Sequence, residues 1–307
     1  MPHPSPLVSV LMLAHNHGAF LQQAIASVQA QSLQAWELLI GEDSSSDNTA
    51  SIAHQAAAVD CRVRVLSNSG GAIGFHLNFA RLLAGSQAPY VAFLEGDDWW
   101  SEPSKLERQV ELLEKDLSLS FCGGRTRVVD QRPVPGPHAT SIGPSPNCDR
   151  LALADLITAY SFHFSSVLMR RESVELPGWI YRQYCLDRPL YLLAAQHGDA
   201  GVIDAELSVY RLHGGGAWAP LTPLEKAHRS RQLFTELKRQ FPDQRTRLSR
   251  TLSRVLWSYL PEVLEAKQHL PASSILMMAV HSAPAMRLLA QLPLTLAVIR
   301  RLLPSLP

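Results

Sequence analysis

The sequence predicts an α/β fold: a mostly parallel central sheet flanked by helices, with a C-terminal helical extension. Three observations predict it. Within the first 115 residues, four apolar, strand-like runs are each followed by a segment with helical spacing. Acidic or polar clusters stand just beyond three of those runs, at Glu42-Asp43, at Asn68-Ser69-Gly70-Gly71 and at Glu95-Gly96-Asp97-Asp98. From Leu221 onward the spacing stays helical, cut into short pieces by Pro242, Pro261, Pro271, Pro284 and Pro293. Strands that alternate with helices build parallel sheets covered by helices. Ligands of such sheets sit beyond the carboxyl ends of the strands. The predicted division is one domain over residues 1–220 and a helical extension over residues 221–307.

The elements follow in order. Leu7 to Ala14 is a nearly continuous apolar run between proline and His-Asn-His-Gly, as expected of a strand buried on both faces. Phe20, Leu21, Ala24, Ile25 and Val28 then repeat with helical spacing. Trp36 to Ile40 reads as a second strand, and Asp47-Asn48-Thr49 opens a second helix reaching about Ala58. Arg62 to Leu66 is a third strand, followed by a helical face through Phe75, Phe79, Leu82 and Leu83. Tyr90 to Leu94 is the fourth strand, and Pro103 suits the first turn of a helix running to Lys115. Five prolines between Arg132 and Asn147 predict an irregular loop. Short helix is expected over 151–159, strand over 165–169, helix over 186–196 and strand over 200–210.

Composition narrows the function. The formal net charge is +1, from 28 basic and 27 acidic residues, which gives no footprint for nucleic acid. Four cysteines, Cys61, Cys122, Cys148 and Cys185, include no CxxC pair and read as thiols in a reducing compartment. No apolar stretch reaches the roughly 18 residues of a membrane span, and no secretion signal is evident. The expected location is the cytoplasm, or the inner face of the cytoplasmic membrane.

Glu95-Gly96-Asp97-Asp98 places three carboxylates in four residues at a predicted strand end. Like charges so close need compensation. A hard divalent cation, Mn2+ or Mg2+, supplies it, because both prefer oxygen ligands. The same cation would neutralise a diphosphate. The plain alternative is a solvated turn, against which the adjacent Trp99-Trp100 pair argues for burial. Asp43 can accept a hydrogen bond from a base or sugar, or can simply close a turn before a helix cap. Asn68 and its neighbouring glycines fit either a ligand contact or an ordinary turn. No GxxxxGK[ST] motif and no strand-placed GxGxxG is present.

Taken together, these segments resemble the inverting glycosyltransferases of family 2, which have the GT-A fold. Val8-Ser9-Val10-Leu11-Met12-Leu13-Ala14-His15-Asn16 is similar to that family's first strand, and the segment from Glu37 to Thr49 to its nucleotide-binding stretch. The stretch from Tyr90 to Trp100 resembles the metal-binding DxD segment, with Glu95 in place of the first Asp. Pro103, Lys105 and Leu106 continue the likeness. Cys185-Leu186-Asp187-Arg188-Pro189-Leu190 resembles the segment that bears the catalytic base, and Tyr210 to Trp218 the closing segment. The likeness covers about residues 7–218.

The resemblance implies a nucleotide-sugar donor, a UDP-sugar by preference, and a carbohydrate, lipid-linked glycan or protein-glycan acceptor. It implies that Asp187 is the general base, and that Ala14, Asn16, Asp43, Asn68, Asp97 and His213 line the donor site. Asp98, Asp97 and His213 are the implied metal ligands, the division between Asp97 and Asp98 staying open. Glu95, Trp99, Trp100, His163, Ser166 and Trp218 are candidate donor or acceptor contacts. A carboxylate within about 3 Å of an acceptor hydroxyl can take its proton in a single inverting displacement. For Asp187 and His213 the bland readings are a helix cap and a turn residue.

Two other functions compete: a non-catalytic sugar-binding or scaffold protein of the same fold, and a sugar nucleotidyltransferase. The second should carry a glycine-rich, basic phosphate loop near the first strand, which is absent. Residues 275–307 are apolar and basic, with Arg287, Arg300 and Arg301 and no acid. They suit either packing, as on the catalytic domain or in a homodimer, or peripheral contact with an anionic membrane.

Overall fold

The computed structural model describes residues 5–68, 70–132, 139–159, 161–216, 218 and 220–260. The basic apolar tail at 275–307 therefore lies outside the described residues. The chain forms two compact units. The first holds Met1–Leu156, Tyr160–Tyr181 and Cys185–His213, and the second holds Ile157–Ala159, Arg182–Tyr184 and Gly214–Pro307.

The strands are β1 (Val8–Ala14), β2 (Trp36–Glu42), β3 (Val63–Ser67), β4 (Tyr90–Glu95), β5 (Trp99–Trp100), β6 (Leu119–Asp130), β7 (Ser141–Ile142), β8 (Arg150–Leu151), β9 (Leu168–Arg170) and β10 (Asp199–Leu212). Between them run α1 (Leu21–Gln29), α2 (Thr49–Val59), α3 (Phe75–Gly85), α4 (Lys105–Lys115), α5 (Leu153–Thr158) and α6 (Asp187–Ala194). One sheet joins the strands in the order β3-β2-β1-β4-β9-β6-β10-β5, with β7 on β6 and β8 on β10. The long pairings, β3/β2, β2/β1, β1/β4 and β6/β10, are parallel. The antiparallel pairings extend over three residue pairs or fewer.

The order follows from patterning. All seven residues of β1 are buried, as an interior parallel strand covered on both faces requires. Its one polar side chain, Ser9, donates to Glu37 Oε1 at 2.6 Å and accepts the Ala88 N–H at 3.1 Å, so no orphaned hydroxyl remains. Helix α1 buries Leu21, Ala24, Ile25 and Val28, the face its spacing predicts. Asn78, on α3, donates to the Gly41 carbonyl at 2.7 Å, and a Cβ on Gly41 would lie 2.4 Å from Asn78 Oδ1. Glycine is what lets that side chain reach the β2 backbone.

Strand β6 is the largest departure from the predicted element order. Its centre reads Cys122-Gly123-Gly124, and glycine weakens any strand pattern. The structure explains the pair: a Cβ on Gly123 would meet Phe162 at 2.6 Å, and one on Gly124 would meet Leu207 at 2.7 Å. The glycines make room for side chains laid across the sheet.

The second unit contains α7 (Pro223–Gln240) and α8 (Arg245–Ser258). Thr222 and Glu225 form a reciprocal capping box at the start of α7. The two helices bury Leu233, Phe234, Leu237, Leu248, Leu252 and Leu256. Among the described residues no helix is long and apolar enough to cross a membrane.

Candidate functional site

The site is assembled where β1, β2, β4 and β10 end. The chain leaving β1 is laced to the chain leaving β2. The Ala14 carbonyl accepts the Asp43 N–H at 3.1 Å. Asn16, at φ 56°, donates its N–H to Ser45 Oγ at 3.0 Å and accepts the Ser46 N–H at 2.8 Å through its side-chain oxygen. The N–H groups of His17 and Gly18 reach Thr49 Oγ1 and Asp47 Oδ2, both at 2.8 Å. These contacts hold residues 14–18 against residues 43–49.

Asp43 is 4% exposed, and its two oxygens accept the N–H groups of Ile73 and Gly74 at 2.8 Å each. Each oxygen keeps a lone pair for a ligand. Asn68 accepts the Ser44 hydroxyl on its carbonyl at 2.7 Å, and its amide meets the Gly71 carbonyl. Ala14, Asn16, Asp43 and Asn68 therefore form one wall.

The acids leaving β4 face different partners. Asp97 Oδ2 lies 3.0 Å from His213 Nε2 and 3.5 Å from His17 Nε2. Burial opposes ionisation of Asp97, but the hydrogen bond from His213 and the charges of His17 and His213 outweigh it and hold the carboxyl below its ordinary range. Asp98 is 1% exposed; its Oδ1 accepts the Arg211 N–H at 2.9 Å. Its Oδ2 has no hydrogen-bond partner among the described residues and lies 3.7 Å from His163 Nδ1. Burial, then the charges of Asp97 and Glu95, drive Asp98 well above the usual carboxylate range. Burial, then Asp97 and Asp187, push Glu95 up to about 8. His163 is held down to about 4 by burial, against the pull of Asp187 and Asp97, so its imidazole is neutral.

Asp187 opens α6 and accepts the Arg188 N–H at 2.7 Å. Its charge is felt by Glu95, His163 and Tyr191. Glu95, Asp97, Asp98, His163, Asp187 and His213 thus share one electrostatic neighbourhood although they span residues 95–213. One ligand atom each from Glu95, Asp98 and His163 lie within 4.8 Å of one another. Two carboxylates, one of them offering the unpartnered Asp98 oxygen, and a neutral imidazole fit a divalent cation.

Three other predicted contacts, Trp100, Ser166 and Trp99, pack around the cluster within the first unit. Trp100 is 4% exposed, donates to the Ser165 carbonyl at 2.8 Å and lies under Lys105 Nζ at 4.2 Å. Ser166 is fully buried and donates to the His163 carbonyl at 2.9 Å. Trp99 stacks on Arg211, 4.5 Å from guanidinium to ring centre. Trp218, in the second unit, stacks on Tyr184 at 5.0 Å.

Two residues escaped the sequence reading. Arg211 lies between the rings of Phe20 and Trp99, each 4.5 Å away, and donates to the Asp97 carbonyl, Gln131 and Gln23 at 2.9, 2.7 and 2.7 Å. It clamps the turn that aims Asp97. His17 has its pKa lowered by burial, against the attraction of Asp97. Its ring has room because residue 96 is glycine: a Cβ there would lie 2.9 Å from His17 Nδ1. The short run His15-Asn16-His17 was the available signal for the second residue; for Arg211 the signal was its place two residues before His213.

The profile described as "Glycosyl transferase family 2" matches residues 9–176. An Escherichia coli relative, the UDP-Glc:alpha-D-GlcNAc-diphosphoundecaprenol beta-1,3-glucosyltransferase WfgD, is 32% identical over 132 residues, 42% of this chain and 49% of its own length. The chain spans less than two thirds of the length of the curated relatives it matches. Among solved structures, S. aureus TarS 1-349 in complex with UDP-GlcNAc is similar with a TM-score of 0.66 and 14% identity, over 90% of this chain and 81% of that one. The mannosyltransferase PcManGT from Pyrobaculum calidifontis, in complex with GDP-Man and Mn2+, is similar with a TM-score of 0.58 and 17% identity, over 99% of this chain and 82% of that one.

Proposed function

The chain belongs to glycosyl transferase family 2, and from that premise we propose that it moves a sugar from a nucleotide-sugar donor to an acceptor hydroxyl with inversion. One observation carries this: three acids leaving one strand are gathered with His213, His163 and the Asp187 carboxylate in a single cluster, with Asp98 and His163 buried and the others partly so. A buried group of acids is costly, and a donor diphosphate with its counter-cation gives that arrangement a use.

Donor binding falls to the wall of Ala14, Asn16, Asp43 and Asn68, with Asp43 offering its remaining lone pairs to the base. A UDP-sugar is the preferred donor, in keeping with the UDP-Glc named for WfgD and the UDP-GlcNAc in the TarS complex. Mn2+ or Mg2+ would be held by Asp98 together with Glu95 and His163, whose ligand atoms meet its own, with Asp97 and His213, the other ligands that the resemblance implies, paired beside them. Such a cation, when bound, neutralises the charge that develops on the departing diphosphate. Arg211 keeps Asp97 aimed, through the Asp97 carbonyl. Asp187 accepts the proton of the acceptor hydroxyl as that oxygen attacks from the side opposite the diphosphate. The acceptor is a carbohydrate, a lipid-linked glycan or a protein glycan, met in the cytoplasm or at the inner face of the cytoplasmic membrane; the diphosphoundecaprenol-linked acceptor in the name of WfgD favours the lipid-linked class.

The test is turnover of a panel of UDP- and GDP-sugars with and without Mn2+. Asp187→Asn should abolish transfer while leaving donor affinity within about threefold, because a base acts only on the attack step. Asp97→Asn should weaken metal-assisted donor binding. Donor binding without hydrolysis or transfer under any acceptor condition would identify a sugar-binding protein instead.

A further inference from the structure

Beyond the catalytic cluster, the second unit carries a charge pattern that the sum over the chain hides. Between Thr222 and Ser258 there are nine Lys and Arg residues against three acids, a surplus of six, in a chain whose net charge is +1. Such an asymmetry marks a surface for an anionic partner.

Two of those nine, Arg231 and Arg239, line a cavity of about 420 Å3 together with Arg182, His228, Gln232 and Glu236, among others. The five α7 residues named lie on one helical face. Gln232 Nε2 donates to the Arg182 carbonyl at 3.0 Å and so ties the opposite lip to α7. Glu236 is the one acid in the lining, and Arg239 Nη1 at 3.3 Å and Gln240 Nε2 at 2.7 Å already engage it. Among the described residues neither Arg182 nor Arg231 has a carboxylate within ion-pair distance. The local field is positive enough to be felt nearby: burial, then Arg245 and Arg231, lower the Lys238 pKa.

We propose that this cavity binds a phosphate or diphosphate group, held by the guanidinium forks of Arg182 and Arg231. Planar guanidinium groups match phosphate oxygens two at a time, which a lone ammonium cannot do. The cavity has room for a phosphate with part of the molecule that carries it. The phosphate source is a lipid headgroup or a soluble phosphorylated glycan or metabolite. The site uses none of the residues assigned to sugar transfer, so it stands or falls apart from that activity.

The experiment uses the full chain, labelled with 15N, titrated with inorganic pyrophosphate in about 0.15 M salt, where long-range attraction is screened. Saturable shifts of the Arg182, Arg231 and Gln232 amides are expected. Arg182→Glu and Arg231→Glu should each weaken binding by about tenfold or more, as loss of a charge-assisted contact implies. Arg247→Glu removes the same charge from α8 outside the lining and should change affinity less than about threefold. Absence of saturable shifts, or equal weakening in all three variants, overturns the proposal. Phosphatidylglycerol vesicles separate the sources. Retention that pyrophosphate displaces and Arg231→Glu abolishes assigns a lipid phosphate. No retention, with pyrophosphate binding intact, assigns a soluble one. The cavity stands in both cases.

Discussion

Replacing Lys105 by methionine should remove one limb of the protein's pH–stability curve. Lys105 is fully buried on α4, with Nζ 2.7 Å from Gln109 Oε1 and 4.2 Å from the centre of the Trp100 ring. No carboxylate lies within ion-pair distance of it among the described residues. Burial lowers its pKa from 10.5 to about 7. The sign follows directly. Between those values the unfolded chain keeps the proton and the folded chain has released it, so stability rises as pH rises. One pKa unit corresponds to about 1.4 kcal/mol, so the rise between pH 7.5 and 9 is about 2 kcal/mol.

The variant lacks this limb, and the difference between the two proteins isolates it. Cys122, whose thiol is pushed up to about 12 by burial, is present in both and cancels in the comparison. Methionine fills nearly the same volume but leaves Gln109 Oε1 short of a donor, a cost of about 1–3 kcal/mol that does not depend on pH. Urea unfolding followed by tryptophan fluorescence at pH 6.5, 7.5, 8.25 and 9 measures the difference. Near pH 6.5 the variant should stand at its most favourable relative to the parent, because it has no ammonium to bury. Its advantage should shrink by about 2.5 kcal/mol by pH 9, about 2 kcal/mol of it between pH 7.5 and 9. Parallel curves across that range would refute the argument and place an uncounted counter-charge or water beside Lys105.

Three further outcomes are expected. Gly96→Ala forces a Cβ to within 2.9 Å of His17 Nδ1, 3.1 Å of Leu21 Cδ1 and 3.2 Å of the Leu13 carbonyl oxygen. It should cost about 1–3 kcal/mol in chemical unfolding and weaken metal-assisted donor binding measured by calorimetry. Arg211→Lys keeps the charge and the backbone N–H to Asp98, but loses the fork that reaches Gln23 and Gln131; about 2–4 kcal/mol of stability should go with it. Thr222→Ala breaks the capping box of α7, and a loss of about 1 kcal/mol is expected, with donor turnover unchanged.

Much of the α/β layout was legible because its signals are local. Val8–Ala14 and Tyr90–Glu95 are apolar without interruption, and the acids beyond the second break that pattern abruptly. Strand β6 was not legible, because Gly123 and Gly124 make sense only once Phe162 and Leu207 are seen lying over them. The Arg211 clamp was hidden for the same reason: Gln23, which accepts from it, is 188 residues away. The charge surplus of residues 222–258 was in plain view but was averaged away, since a surplus of six there is nearly cancelled by acids elsewhere in a chain of net charge +1.

Asp97 and Asp98 show why a motif names a site without dividing its labour. In a turn, neighbouring side chains diverge, so two identical adjacent residues meet different surroundings. Asp97 points to two imidazoles, whose hydrogen bond and charge favour the carboxylate. Asp98 points inward, spends one oxygen on the Arg211 N–H and keeps the other beside His163, where burial disfavours its charge. Without a cation, protonation is the way for Asp98 and Glu95 to relieve that cost. A cation entering the cluster must therefore displace protons as it binds. Mn2+ titrated near pH 7 in buffers of different ionisation enthalpy should reveal that release as a buffer-dependent heat, and an Asp98→Asn variant should release less. A buffer-independent heat would mean that the ion is held by Asp97 and the imidazoles alone, with Asp98 serving only to anchor Arg211.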